Sequence, residues 1–133
     1  MIQANELRLE NLVEAFGIQC KIIELCKEEA HLMPISQPNI FSSDYEFYLG
    51  IEPIPLTEEW LLKAGFEYHP KNAKFIKLDC VGIWMKDKLF TLYDNSLDGY
   101  EFGLCKRDTK LQYVHQLQNL YFALMGKELE FKL

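Results

Sequence analysis

The residues able to do chemistry are few and scattered. His31, His69 and His115 stand far apart, and none falls in an H-x-x-x-H or C-x-x-C frame. Cys20 and Cys26 have five residues between them, which is not a zinc-site spacing. The nearest approach to a metal motif is "DNSLDG", where Asp94, Ser96, Asp98 and Gly99 match the opening half of a calcium loop. The match stops at the twelfth position, which needs a bidentate Glu and holds Cys105. The flanks alternate as strands do, and Asp-Gly turn chemistry accounts for the loop. No metal and no cofactor is therefore expected. An enzyme would have to assemble its site from distant segments, with His115, Cys105 and Asp94 as its components. No G-x-S-x-G, H-E-x-x-H or phosphate-cradling glycine loop asks for one, so no residue is assigned a catalytic role.

Two further groups could bind something. Lys106, Arg107 and Lys110 precede the last helical segment. Three cations converging on exposed helix N–H groups would make an anion site. A solvated basic turn explains the same residues, because misplaced charge there costs roughly a few tenths of a kcal/mol per residue. The second group lies in "LQYVHQLQNLYFALMG", Leu111 to Gly126, sixteen residues without Asp, Glu, Lys or Arg. Its spacing predicts a helix over Lys110–Met125, with Leu111, Val114, Leu117, Leu120, Tyr121 and Leu124 as the apolar stripe. Gln112, His115, Gln116 and Asn119 fall at i, i+3, i+4 and i+7 and form an uncharged polar face. Amides suit a place where hydrogen bonds are required and ions are costly. That place is either the inside of the protein, with loop backbone as partner, or an interface to a second copy or another protein.

Composition narrows the classes of function. The chain has 133 residues, a formal net charge of −6 and an aromatic content of 14%. An acidic chain lacks the basic surface that phosphate neutralisation demands, so nucleic acid is not an expected partner. No run of eighteen apolar residues occurs, and no membrane span is expected. The opening "MIQANELRLE" has no basic stretch followed by an apolar run, so a cytoplasmic protein with four reduced cysteines is expected. The length fits a single domain, residues 1–133, with a composition shift at 34–44 that could mark a soft boundary.

The elements that must position these residues are written most clearly in "IPLTEEWLLKAGF". Thr57 is a helix N-cap, Glu58 and Glu59 favour the first turn, and Gly65 can end the helix with Phe66 folding back on Leu61. So short a helix must dock, through Trp60, Leu61 and Leu62. From Phe75 to Cys105 the period becomes two: "KFIKLDC", "GIWMKDKLFTLYD" with Lys86-Asp87-Lys88 at the bend, and "YEFGLC" predict an antiparallel meander. "KELEFKL" predicts a last strand. Residues 9–25 fit either a helix closed by Gly17 or two strands joined at Phe16-Gly17. "YEFYLGI" alternates and is rich in strand formers, with Tyr45–Tyr48 as candidate contact aromatics.

Three stretches, "ELRLENLV", "IEPIPLTEEWLLKAGFE" and "YVHQLQNLYFALMGKELEF", together resemble a family of short uncharacterised proteins of Bacteroides-type genomes, often encoded among prophage or other mobile-element genes. The resemblance reaches both ends of the chain and implies strand–turn–strand for the N-terminal pattern. Where the family places a polar residue and Gly before Asn, this chain has Leu9-Glu10-Asn11. It implies no activity and carries over no catalytic residue. The expectation is an α+β fold: an antiparallel meander packed on one long C-terminal helix, one short helix, and N-terminal strands that could form a barrel-like unit. The expected function is a non-catalytic protein-interaction module of phage or mobile-element setting. Its partner would be a second copy or a host or phage protein.

Overall fold

The computed structural model describes residues 4–35, 44–47, 50–79, 81–86, 89–94 and 110–133. The chain is α+β and divides into two compact units, residues 1–55 with 113–119, and residues 56–112 with 120–133. The composition shift at 34–44 lies inside the first of these stretches.

The first unit holds a four-stranded antiparallel sheet: β1 (Leu12–Ala15), β2 (Ile18–Leu25), β3 (Glu29–Pro34) and β4 (Asp44–Phe47), in sequential order. Of the two readings left open for residues 9–25, strands prevail. Ala15 pairs with Ile18, so Phe16 and Gly17 form a two-residue hairpin loop with φ of 53° and 73°. Positive φ at both loop positions matches the right-handed twist of the flanking strands. Val13, Ala15, Cys20, Ile22, Ala30 and Leu32 form the buried cluster, with Leu7 and Ile51. The strand order is linear, so the barrel-like unit these strands could have formed is not closed among the described residues. The physical reason lies at β1, whose outer edge is already occupied: Glu14 exchanges backbone bonds with Glu52 at 2.9 and 2.8 Å, and Leu12 donates to a side chain described below.

The second unit holds the meander, extended to five strands: β5 (Glu67–His69), β6 (Asn72–Leu78), β7 (Val81–Lys86), β8 (Leu89–Asp94) and β9 (Lys110–Leu111). The described β6 runs to Leu78, opposite Val81, and Asp79 has φ 53°; Cys80 lies outside the described residues. The helix α1 (Glu58–Lys63) is built as its sequence predicts. Thr57 Oγ1 accepts from the Trp60 N–H, and the Phe66 and Gly65 N–H groups donate to the Leu61 and Leu62 carbonyls, both at 3.1 Å. That pair of bonds, with Gly65 at φ 96°, is a Schellman stop. Trp60 and Leu61 are buried, but Leu62 is exposed and takes no part in docking. The tail "KELEFKL" forms neither helix nor strand. Leu129 is buried, Phe131 meets the Trp60 ring edge-on at 5.4 Å, and the Lys132 N–H donates to the Lys63 carbonyl at 2.8 Å.

The second helix, α2 (Val114–Met125), is shorter than expected. Residues 110 and 111 are committed to the sheet opposite Thr91 and Phe90, and the Gln112 carbonyl accepts from the Leu56 N–H. With those groups bonded elsewhere, the first helical turn cannot form before Val114. The residues of α2 divide between the units, 114–119 with the first and 120–125 with the second.

Candidate functional site

The start of α2 shows what its polar residues do. Tyr113 precedes the first helical residue, and its N–H donates to Gln116 Oε1 at 3.1 Å. This is the returning half of a capping box, made here by the third helical residue without a Ser or Thr cap. The Val114 N–H donates to the Ile54 carbonyl at 2.9 Å, satisfying a second orphan donor. Gln116 thus serves the helix's own terminus. Gln112 lies ahead of the helix and is exposed.

Gln118, which sequence reasoning left off the polar face, is the most committed of the amides, at 2% exposure. Its Oε1 accepts from the Leu12 N–H at 2.8 Å and its Nε2 donates to the Glu10 carbonyl at 3.0 Å. The side chain meets β1 as a neighbouring strand would, taking one donor and one acceptor two residues apart. Asn119 adds three bonds. Its Oδ1 accepts from Arg8 Nε at 2.8 Å and from Asn11 Nδ2 at 2.9 Å, and its Nδ2 donates to the Glu6 carbonyl at 2.7 Å. Arg8 also donates to the Gln118 carbonyl at 3.2 Å, and buried Asn11 accepts the Arg8 N–H at 2.7 Å. Arg8 and Asn11 were likewise missed. An asparagine inside the run Leu9–Phe16 was the available signal, since a buried amide needs fixed partners.

His115 stands apart from this network. It is 1% exposed, and neither ring nitrogen has a hydrogen-bond partner among the described residues. Its ring stacks on Tyr113 at 5.9 Å, and Nε2 lies 3.8 Å from a Glu6 carboxylate oxygen, beyond hydrogen-bond reach. Burial pulls its pKa below the ordinary value, and the Glu6 charge opposes that only in part. The two residues the enzyme reading would join to it are not seen with it. Cys105 lies outside the described residues, and Asp94 is the last residue of β8, in the other unit.

The β1–β2 hairpin carries the opposite kind of feature. Phe16 is 83% exposed at φ 53°, and Ile18 beside it is also exposed. At the base of β1, exposed Leu9 adjoins Glu10, which has a φ of 73°. Left-handed backbone costs an ordinary L-residue roughly 1–2 kcal/mol. Glu10 is held in it by the bond from its N–H to the Ile22 carbonyl at 2.9 Å and by Gln118 on its own carbonyl. Phe16 is held in it by the two-residue turn between paired Ala15 and Ile18, while its ring stands exposed.

The second unit has a cleft of about 510 Å³ between the end of α1, the Leu78–Asp79 corner, Tyr121 and the tail. Tyr121 Oη donates to Asp79 Oδ2 at 2.5 Å, and Lys127 Nζ lies 3.9 Å from the same oxygen. Lysines 63, 127 and 132 share the lining with Asp79, Glu128 and Glu130, so the cleft has no net sign. Among the described residues no three His, Cys, Asp or Glu side chains could hold a metal ion together. Of the calcium candidates, Ser96 and Asp98 lie outside the described residues, with only the backbone of Asp94 described. Of the anion candidates, Lys106 and Arg107 lie outside, and Lys110 is exposed on β9 rather than at the helix start. Tyr48 lies outside as well. No described helix is long and apolar enough to cross a membrane.

Comparison of the chain with known protein families, with curated proteins and with solved structures finds no match in any of the three.

Proposed function

We propose that this chain is a non-catalytic protein-interaction module that engages its partner through the Phe16–Ile18 tip of the β1–β2 hairpin. The observation that carries this reading is Phe16 itself, a large aromatic at 83% exposure on left-handed backbone. Asn at that position with Gly17 after it would relax the turn and remove the apolar surface. A residue that is unfavourable both for the turn and for water is accounted for by a contact made outside the chain. The amide face of α2, the other candidate surface, is engaged internally through Gln116, Gln118 and Asn119. The resemblance of three stretches to a mobile-element family favours a host or phage protein as the partner. A cytoplasmic setting follows from the same reading. The enzyme alternative gains no support from His115, which no substrate reaches at 1% exposure.

The test is capture from host lysate with the native chain and with Phe16→Asn, alongside sedimentation of each. Retention of a protein, or of a second copy, by the native chain and its loss in the variant is expected, with the melting temperature of the variant not lowered. Equal retention by both would remove the hairpin tip from the interface.

A further inference from the structure

The bonds that hold residues 6–11 to α2 are made on the helix face of a histidine whose ring nitrogens have no hydrogen-bond partner among the described residues. Asn119 holds the Glu6 carbonyl and the Arg8 guanidinium, Arg8 reaches the Gln118 carbonyl, and Gln118 holds the Glu10 carbonyl. His115 is on the same helix, three residues before Gln118 and four before Asn119, and so on the same face. A neutral imidazole is tolerated without partners at modest cost; an imidazolium in that position is not.

We propose that His115 is a proton-operated latch on the N-terminal segment of the first unit: charging its ring in mild acid releases residues 4–8 from α2. The charged and titratable groups around the ring decide the direction. Among the described residues, Glu6, on the 3-10 turn Ala4–Glu6, is the charged group acting on it, from 3.8 Å. Arg8, from the following loop, turns its guanidinium to Asn119 and the Gln118 carbonyl. Tyr113 stacks on the ring. Glu14 and Glu52 face each other across the β1 edge through their backbones. Glu10 is drawn to Lys21 at 3.2 Å. Glu6 can compensate the new charge only by moving, because its carboxylate does not hydrogen-bond the ring from where it stands. Glu6 is also the residue whose carbonyl Asn119 holds, so a pull of its carboxylate toward the charged ring loads that bond. The sign follows: the folded protein holds the His115 proton less tightly than the unfolded chain. Stability is therefore full above the ordinary value of 6.5 and declines as the pH falls below it.

Amide hydrogen exchange on the intact chain tests this, with rates corrected for their intrinsic pH dependence. Between about pH 7.5 and about pH 5, the amides of residues 5–8 are expected to open about tenfold more, while those of Ile76 and Ile83 in the second unit change little. His115→Phe should abolish the difference. An equal acid response in that variant, or stronger protection of residues 5–8 in acid as Glu6 closes on the ring, overturns the proposal. Should His115→Phe not fold, the ring proton shifts of His115 in the native chain decide. Titration below 6.5 in step with the opening of residues 5–8 supports the latch, and titration at or above 6.5 refutes it.

Discussion

The two units solve the same problem, a sheet that needs company, with different chemistry. In the first unit the polar residues of α2 reach β1 and the segment before it, and amides satisfy backbone that would otherwise be orphaned. In the second unit the corresponding work is apolar: a Schellman-stopped helix buries Trp60 and Leu61, and the tail lays Phe131 on the Trp60 ring. Amide contacts are directional, so they specify a register and fail when one atom is wrong. Apolar contacts are adjustable in shape but lose energy with every methylene removed. One uncharged helix supplies both, its first half through the amides of Gln116, Gln118 and Asn119, its second through the buried ring of Tyr121.

That contrast can be broken most severely in the second unit. Leu61→Ala should cost about 3–5 kcal/mol in urea unfolding, whereas Leu61→Met, which keeps the volume, should cost less than about 1.5 kcal/mol. The first unit should behave differently. Gln118→Leu also keeps the volume, yet should cost about 1–3 kcal/mol, because the Leu12 N–H is left buried without a partner and the part-buried Glu10 carbonyl loses its own. A cost near zero would show that water or backbone shifts replace the amide. Tyr121→Phe should cost about 1 kcal/mol, discounted because Asp79 is partly exposed. The smallest effect carries the opposite sign: Phe16→Asn should stabilise the first unit by about 0.5–1 kcal/mol, read as a raised midpoint. A destabilised Phe16→Asn would mean the ring makes contacts that its exposure hides.

What could be read in the sequence follows the same division. Thr57, Gly65 and the alternation from Phe75 onward are local signals: α1 formed as they asked and β6, β7 and β8 pair as a meander, while "YEFGLC" and the Asp87-Lys88 bend lie outside the described residues. The Phe16-Gly17 bend was legible only as one of two readings, because so short a run fits helix and strand alike. The start of α2 was misjudged because β9 and the Gln112 carbonyl take up backbone groups through partners distant in sequence. The "KELEFKL" tail alternates like a strand, but alternation fixes a buried face and does not supply a neighbour to pair with. The inward turn of the amides was one of two readings. Gln118 was overlooked since helical spacing groups His115 with Gln118 and Asn119 as readily as with Gln116 and Asn119. Choosing between those sets needs the position of β1, which no local signal provides.

The claim on which most depends is that Gln118 stands in for a strand beside β1. Exchange of the Leu12 amide in the native chain and in Gln118→Ala measures it directly. The expected result is that Leu12 loses protection by about tenfold or more while Ile83 keeps its own, since the bond removed serves the first unit alone. Leu12 equally protected in both proteins would contradict it.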